Sequence, residues 1–419
     1  MPDAIVHLSS VAGSPLLDSA GERLGRIEDV VVRLDVADVL PAVVGLVARI
    51  GGREMFVPVS RIDRLEPAAA RTATTKLNLA QFERRAGEVL LRADVLDHSL
   101  INLQTASLVS ARDVELVREQ GTWWVAGVDP SFRARMYRLL PRRFRGHDSE
   151  HTDFVPWRDM EAFVGHVPTS RLKLGSRRLH RLHPAQIADL VEAASHEEGE
   201  EILQAVAQDK ELEADVFEEL NDEHQVEFLR ERSDDQVAEV LGRMASDDAA
   251  DLLLEIQQER RLPILNLLTP AKQIKVRGLL GHNPSTAGGL MNPDFVVVPA
   301  SSTVGEALDR VRASALGLQQ IATVCVVDEH GALVDAVSLA ELVRAQPGQA
   351  VSALVDSQLP TVSADADLPE VARLMADYNL IAMPVLDQAG APVGMIAVDD
   401  VLELLVPEDW RRRAGVARS

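Results

Sequence analysis

Two pairs of carboxylates have the spacing that places both members of a pair on one face of a helix. Asp247 and Asp251 are four residues apart, and Asp400 and Glu403 are three residues apart. Magnesium is a hard cation that keeps several waters and takes only one or two carboxylates at a site. If the pairs belong to different domains, their repulsion separates the domains and a bridging cation draws them together. Residue types and spacing therefore make the two pairs candidates for binding a divalent cation.

Helix capping gives the first pair an ordinary structural interpretation. Asp247 and Asp248 directly follow Ser246, and acidic residues in a first turn favour the helix dipole without binding a ligand. Ser195, Ser233 and Ser246 each precede a short apolar-periodic segment, so we expect them to be N-caps. The residues alone leave both interpretations open.

The bulk properties of the chain exclude several classes of protein. Its 419 residues exceed what one hydrophobic core usually serves, and 46% hydrophobic residues argue against general disorder. No run approaches the roughly 18 apolar residues of a membrane-spanning helix, and the first residues lack a secretion signal. The single cysteine, Cys325, excludes a disulfide framework and a cysteine-rich metal site. We expect about three or four domains and a cytoplasmic protein.

Charge is unevenly distributed along the chain, whose net charge is −22. Residues 183–260 contain 24 acidic and 5 basic residues, whereas residues 131–181 contain 12 basic and 5 acidic residues. The insert at residues 130–146, PSFRARMYRLLPRRFRG, predicts a short basic amphipathic helix that Pro141 ends or kinks. Residues 131–145 can contact RNA or an anionic membrane, or can dock on the acidic region of the same chain or its dimer mate.

The amino-terminal part contains a long repeat. RIEDVVV at residues 26–32 matches SARDVEL at residues 110–116, and FVPV at residues 56–59 matches FVPW at residues 154–157. The short alternating segments with glycine punctuation between these motifs predict two small β-barrels. The arrangement resembles the PRC-barrel family over residues 9–167.

The remaining chain contains a helical region followed by a second repeat. The related segments IADLVE, QVAEVL and AADLLL predict a superhelix of stacked helix pairs. DEHG at residues 328–331 and DQAG at residues 387–390 belong to two copies of a strand, turn, strand and helix pattern, with extra helices at residues 304–311 and 368–376. The two copies resemble a pair of CBS motifs, a Bateman module, and the resemblance implies a homodimer through this pair.

The order of these parts resembles one family. MASDDAADLLLEI at residues 244–256, NPSTAGGLMNPDFVVVP at residues 283–299 and EVARLMADYNLIAMPVLD at residues 370–387 look like the amino-terminal and CBS regions of MgtE magnesium transporters and channels. The resemblance covers residues 182–406, and AGGLM in the junction is its most specific part.

This resemblance implies a magnesium site between the helical region and the CBS pair. The positions that match the family are Asp247, Asp251, Gly289 through its carbonyl, Asn379, Asp400 and Glu403. Asn379 stands where the family usually has Asp, and Glu403 also replaces an Asp. These changes predict weaker binding than in the transporters.

Two departures from the family concern the pore. The chain ends at Ser419, shortly after the second CBS motif, so we expect no transmembrane pore and no transport by this chain alone. EDWRRRAGVARS at residues 408–419 replaces the acidic connecting helix of the family, so the cation ligands of that helix have no counterparts.

The CBS resemblance also implies an adenine nucleotide site. In many such modules a Ser or Thr and an Asp three residues later hold the ribose hydroxyls. The first copy offers Ser338 and Glu341, and the second offers Ala397 and Asp400. The missing hydroxyl at Ala397 weakens the second cleft, and Glu341 departs from the usual Asp in the first.

The sequence contains none of the common catalytic motifs, so we do not expect an enzyme. It predicts a soluble cytoplasmic regulator that responds to magnesium through the interface of its helical and CBS domains. One alternative is an adaptor whose PRC-like barrels bind a protein or RNA. Another is a detached regulatory subunit of magnesium ion transport that works with a membrane partner.

The predicted fold class is multidomain α+β, with two small PRC-like β-barrels, an all-α superhelical domain and an α/β CBS pair. The predicted domains are residues 1–92 and 93–170 for the barrels, 171–283 for the helical superhelix, 284–408 for the CBS pair with motifs at 290–345 and 352–408, and 409–419 for a basic tail.

Overall fold

β-Structure dominates the first part of the chain, and helices followed by two small sheets form the rest. The computed structural model describes residues 3–33, 40–74, 80–85, 87–131, 154–162, 179–354 and 359–406. The chain divides into two units, Met1–Val216 and Phe217–Ser419. The mixed α+β fold class predicted from the sequence is confirmed.

The first unit is built on a barrel-like sheet of 12 strands and a second sheet of 3 strands. Its strands are β1 (Ala4–His7), β2 (Pro15–Leu17), β3 (Arg23–Arg33), β4 (Ala42–Ile50), β5 (Arg53–Pro58), β6 (Ile62–Glu66), β7 (Ala69–Thr72), β8 (Ala80–Gln81), β9 (Glu88–Leu90), β10 (Ser99–Asn102), β11 (Ser107–Ser110), β12 (Asp113–Glu119), β13 (Thr122–Asp129), β14 (Val155–Pro156) and β15 (Met160–Ala162). The first helices of the chain are α1 (Leu8–Val11), α2 (Pro184–Ala193), α3 (His196–Val206) and α4 (Lys210–Glu219).

The two copies of the long repeat exchange their first strands. β1, which precedes the first copy, pairs antiparallel with β12 of the second copy, with Ala4 opposite Arg118. β9, which precedes the second copy, pairs antiparallel with β3 of the first copy, with Val32 opposite Val89. One hydrophobic core contains buried side chains of both copies. The copies therefore share a sheet and a core, and a domain boundary at residue 92 remains a prediction.

Two buried aspartates of the repeat fasten this exchange. Asp29 accepts hydrogen bonds from the backbone N–H groups of Arg92 at 2.8 Å and Ala93 at 3.0 Å, in the helical turn that follows β9. Asp113, its counterpart in the second copy, accepts the backbone N–H of Ser9 at 3.0 Å and the Ser9 hydroxyl, in α1 after β1. Each copy thus supplies the carboxylate that holds the turn leading into the other copy.

Asp29 makes the stability of the first unit depend on pH. Burial raises the pKa of Asp29 from 3.8 to about 6, although backbone N–H groups of Arg92, Val30 and Ala93 oppose the rise. In this range the folded state binds more protons than the unfolded state, so the free energy of unfolding falls as the pH rises from about 4 to about 6, by up to about 3 kcal/mol.

The substitution Asp29→Asn tests this dependence because asparagine does not titrate. We expect a smaller fall between pH 4 and pH 6 in the variant than in the parent protein, and some fall remains because burial also raises the pKa of Asp113 and of Glu115. The variant is less stable at each pH, because the side-chain NH2 of asparagine cannot accept the hydrogen bonds that one carboxylate oxygen of Asp29 accepts. Denaturant unfolding followed by tryptophan fluorescence measures this, since Trp123, Trp124 and Trp157 lie in the first unit. An identical pH slope in both proteins would contradict the assignment.

The second unit contains the helices that follow and both CBS motifs. Its helices are α5 (Asp222–Arg230), α6 (Asp234–Arg243), α7 (Ser246–Glu255), α8 (Gln258–Leu267), α9 (Pro270–Leu279), α10 (Ala287–Leu290), α11 (Val304–Ala313), α12 (Leu318–Ile321), α13 (Leu339–Arg344), α14 (Leu368–Tyr378) and α15 (Val398–Leu405). Its strands are β16 (Val296–Pro299), β17 (Thr323–Val327), β18 (Leu333–Ser338), β19 (Val362–Ser363), β20 (Ala382–Leu386) and β21 (Pro392–Ala397).

The short helices pack on their second neighbours along the chain. α6 packs on α8, and α7 packs on both α5 and α9. Ser195 and Ser233 are N-caps whose hydroxyls accept a backbone N–H, which confirms two predicted caps. The prediction for Ser246 is wrong. Ala245 is the N-cap of α7, because the Ser246 hydroxyl donates to a carboxylate oxygen of Asp294 at 3.1 Å.

The two CBS motifs have the same topology. β16 runs parallel to β17, which pairs antiparallel with β18, and β19, β20 and β21 repeat this order. Asp328 and Asp387 each accept two backbone N–H groups at 2.8 and 2.9 Å in the turns between the antiparallel strands. Gly331 and Gly390 supply the positive φ of these turns, 85° and 80°. The Asp-x-x-Gly turns predicted from the sequence are confirmed.

Candidate divalent-cation site

α7 carries three aspartates near its first turn. Its apolar residues are buried, which fixes the rotation of the helix about its axis. Asp247 and Asp248 lie in the first turn, and Asp251 lies one turn later, four residues from Asp247. Asp247 and Asp251 therefore share a side of the helix, as their spacing predicts.

The surroundings of these aspartates disfavour their charged form. Burial, with a smaller contribution from the charge of Asp294, raises the pKa of Asp247 to about 6, although two backbone N–H groups and the charge of Lys272 oppose the rise. Desolvation, followed by the charges of Asp247, Asp222 and a further glutamate, raises the pKa of Asp251 to about 6. Burial and then several carboxylates, Asp247 first, raise the pKa of Asp248 well above its ordinary value. Backbone N–H groups at the start of α7 lower the pKa of Asp247, as helix capping does, but burial outweighs them.

The second CBS motif contributes a carboxylate to this group. Asp400 lies in the first turn of α15, where a carboxylate oxygen accepts the backbone N–H of Ala397 at 3.3 Å. Its charge is one of those that raise the pKa of Asp248. Carboxylates of the helical region and of the second CBS motif therefore lie near enough to repel one another.

The junction before the first CBS strand supplies polar partners for α7. The Asn292 side-chain amide donates to Asp247 Oδ1 at 3.0 Å. Asp294 accepts from the Ser246 hydroxyl and forms an ion pair with Lys275 of α9. These contacts connect α7 and α9 to the junction through side chains.

Close packing explains Gly289 without a ligand. A Cβ atom at this position would lie 2.5 Å from the carbonyl oxygen of Asn283 and 2.6 Å from Cα of Pro284. The backbone N–H of Gly289 donates to the carbonyl of Thr286 at 2.9 Å. The role of its carbonyl as a cation ligand remains a prediction.

Backbone geometry explains Asn379. This residue ends α14 in the left-handed conformation, with φ 53° and ψ 46°, which asparagine tolerates better than most residues. Glu403 lies on α15, one turn after Asp400, and its side chain is outside the described part of the structure. Ligand roles for Asn379 and Glu403 remain predictions.

The predicted nucleotide residues form a helix cap. The Ser338 hydroxyl donates to Glu341 Oε2 at 2.8 Å, and the backbone N–H of Glu341 donates to the Ser338 hydroxyl at 3.2 Å. Ala397 and Asp400 occupy the same places at the end of β21, without the hydroxyl. The structure brings each pair together at the start of a helix, and nucleotide binding remains a prediction.

Asp248, Asn292 and Asp294 are not among the site residues that the sequence predicts. Asp248 adjoins a predicted ligand, but its place in the first turn of a helix is equally typical of capping. The signal for Asn292 and Asp294 was their place in the junction motif, immediately after AGGLM. Only the structure shows that this motif lies beside α7.

Among the residues that the structure describes, no group of three or more His, Cys, Asp or Glu side chains is arranged to hold a metal ion. No helix within the described ranges is long and apolar enough to cross a membrane. Residues 132–153 and 407–419 are outside those ranges. The predicted contacts of the basic insert at residues 131–145 and the basic tail therefore stay predictions.

Comparisons with known proteins match the second half of the chain. The MgtE intracellular N domain matches residues 182–285, and the CBS domain matches residues 287–348 and 351–407. The magnesium transporter MgtE of Thermus thermophilus is 40% identical over 143 residues, and that of Enterococcus faecalis is 29% identical over 145 residues. Each match covers 34% of this chain and 32% of the transporter, so the chain spans about a third of the length of these relatives.

Solved structures match the same region. The crystal structure of the cytosolic domain of the Mg2+ channel MgtE in complex with ATP is 33% identical, with a TM-score of 0.52, over 55% of this chain and 94% of that chain. The crystal structure of the soluble part of a magnesium transporter is 24% identical, with a TM-score of 0.51, over 55% of this chain and 90% of that chain, and shows the same fold.

The helical region, its glycine-containing junction and the paired sheets define an MgtE-type N domain joined to a CBS pair. The chain belongs to the MgtE family through these parts, as its sequence predicted.

The substitution Gly289→Ala tests the packing of the junction. The added methyl group overlaps backbone atoms, so we expect the second unit to lose about 2 kcal/mol of stability. Gly278→Ala in α9 is the matched control, because a Cβ there meets nothing within 4 Å and alanine favours a helix by up to about 1 kcal/mol. Calorimetry of both variants measures the effect, and equal melting temperatures would contradict the packing argument.

Proposed function

We propose that this protein is a non-catalytic, magnesium-responsive regulator that works in the cytoplasm. A divalent cation binds among the carboxylates of α7 and the second CBS motif and draws the two together. The observation that supports this most directly is the effect of Asp400 on Asp248, since the charge of the former raises the pKa of the latter.

The mechanism depends on relief of repulsion. Two like unit charges 4 Å apart repel by about 4 kcal/mol at an effective dielectric constant of 20. Asp247, Asp248 and Asp400 are half-buried, and Asp251 is exposed beside them, so its charge is better screened by solvent. A hydrated divalent cation replaces this repulsion with attraction, and waters complete its coordination without a preformed cage.

The remaining family positions complete the proposed ligand set. The carbonyl of Gly289 and the side chains of Asn379 and Glu403 supply further oxygens. Asn379 carries no charge, and Glu403 places its carboxylate on a longer side chain than Asp. We therefore propose weaker magnesium binding than in family members with aspartate at both positions.

We propose sensing, rather than transport, as the role of this chain. The matched relatives are magnesium transporters and a Mg2+ channel, and the chain spans about a third of the transporters' length. A membrane transport protein is the proposed partner. The CBS pair is the proposed contact of a homodimer.

The substitution Asp248→Asn separates the two effects of this carboxylate. Without metal, removal of a repelled charge raises the stability of the second unit by about 1 kcal/mol, or about 3 °C in Tm. With metal, loss of a charged oxygen raises the magnesium concentration at half-response about tenfold, which corresponds to about 1.4 kcal/mol. Calorimetry in EDTA and across millimolar magnesium measures both.

Asp309→Asn is the matched control for charge. Asp309 is exposed on α11 and pairs with Arg312, remote in sequence from the α7 group. We expect this variant to keep the magnesium response of the parent protein. If Asp248→Asn lowers the metal-free Tm and keeps the full magnesium response, the proposed mechanism is wrong.

The first CBS motif is the proposed site for an adenine nucleotide. Ser338 and Glu341 are hydrogen-bonded to each other at the end of β18. When a nucleotide binds, the Ser338 hydroxyl and the Glu341 carboxylate can form hydrogen bonds to the ribose hydroxyls instead. The related cytosolic domain of the Mg2+ channel MgtE was solved in complex with ATP. The second motif, with Ala397, lacks the hydroxyl.

Ser338→Ala and Thr303→Ala form a matched pair for this proposal. Both remove an N-cap hydroxyl that is bonded reciprocally to a glutamate, so each costs about 1 kcal/mol of stability. Only Ser338→Ala should weaken ATP binding, by about tenfold for a lost hydrogen-bond partner. Isothermal titration with ATP measures this, and equal affinities of the two variants would exclude Ser338 from the site.

A further inference from the structure

The junction that leads into the first CBS motif is bonded to the second. The backbone N–H of Ala287 donates to the carbonyl of Ala366 at 2.8 Å. Asn292 exchanges two backbone hydrogen bonds with Met395 of β21, at 2.8 and 2.9 Å. The junction is therefore hydrogen-bonded to the second CBS motif, although it precedes the first CBS motif in the sequence.

Side chains of the same junction hold α7. Asn292 is buried, and its side-chain NH2 group donates to Asp247 Oδ1 at 3.0 Å. Its side-chain oxygen, Oδ1, accepts the backbone N–H of Asp294 at 2.9 Å. Asp294 then accepts from the Ser246 hydroxyl at 3.1 Å. Two adjacent residues of α7 are thus bonded to two junction residues.

Two lysines of α9 supply positive charge to this arrangement. The ammonium group of Lys275 pairs with Asp294, and the two side chains are 37% and 28% exposed. The charge of Lys272 acts on both Asp294 and Asp247. Asp294 is also one of the charges that act on Asp247. Without Lys275, Asp294 would lose its ion-pair partner and its repulsion of Asp247 would be less well compensated, although Lys272 still acts on both carboxylates.

We propose that Lys275, Asp294, Ser246 and Asn292 form a polar clasp that holds α7 on the junction without a divalent cation and so positions Asp247 to receive one. The holding of α7 stands on the contacts alone. The positioning of Asp247 for a cation rests on the proposed function.

Hydrogen exchange of the full chain in EDTA tests the clasp. In Lys275→Met we expect the backbone amides of residues 246–256 and 286–295 to exchange about fivefold faster, as for loss of a partly exposed charge-assisted hydrogen bond. Lys275→Arg keeps the charge and should restore most of the protection. Arg312→Met removes an exposed ion pair of α11 and should leave both segments unchanged.

A second pair of measurements keeps the test specific. In Asp294→Asn the same segments should exchange faster, and adding Lys275→Met should accelerate them little more, because the pair is already broken. Amides of β17 and β20 should keep their protection, which shows that the variants fold. Unchanged exchange of both segments in Lys275→Met would falsify the clasp, and so would fully additive effects.

Added magnesium separates the clasp from the proposed function. If the clasp and the sensing function are both correct, 10 mM magnesium restores the protection of these amides in Lys275→Met. Magnesium then slows amide exchange about fivefold more in this variant than in the parent protein. If magnesium protects no variant while Lys275→Met still exchanges faster, the clasp stands and the sensing function fails. If magnesium protects all variants equally and Lys275→Met matches the parent, the clasp fails and sensing stands.

Discussion

Repulsion among carboxylates on α7 is the constraint on which the second unit depends. Buried apolar residues fix α7 in place, so Asp247 and Asp248 stay half-buried beside one another, whereas Asp251 is exposed. Burial and neighbouring charges raise the pKa values of Asp247 and Asp251 to about 6, and that of Asp248 well above its usual range. Folding energy from the apolar face thus holds charges in an unfavourable arrangement. Such an arrangement responds readily to any cation placed among them.

Two kinds of cation can reduce the repulsion among these carboxylates. One belongs to the chain, since Lys275 neutralises Asp294 next to Asp247. The other comes from solution and is the proposed magnesium ion. An ammonium group makes directional hydrogen bonds to one carboxylate, whereas a hydrated divalent ion can join several oxygens from separate segments. In the proposed function, the internal cation therefore sets the geometry without metal, and the external one brings further oxygens together.

The sequence predicted the repeats and helices well, because each depends on local pattern. The CBS strands, their Asp-x-x-Gly turns and two of three serine caps follow from periodicity and turn chemistry within a few residues. Ser246 failed as a cap because a distant residue, Asp294, takes its hydroxyl. The effect of Asp400 on Asp248, like the bonds of Asn292 to Asp247 and Met395, joins segments far apart along the chain. No local pattern encodes such contacts.

The strand exchange in the first unit affects when this unit can fold during translation. β1 is translated before its partner β12, which is synthesised more than 100 residues later, as the pairing of Ala4 with Arg118 shows. Until then the nascent chain must keep an apolar edge unpaired, which favours slow, high-contact-order folding and exposure to chaperones. Premature chain termination inside the second copy would leave β1 without its place in the sheet. Completion of the barrel-like sheet therefore waits for the translation of β12 and comes well after the translation of β1.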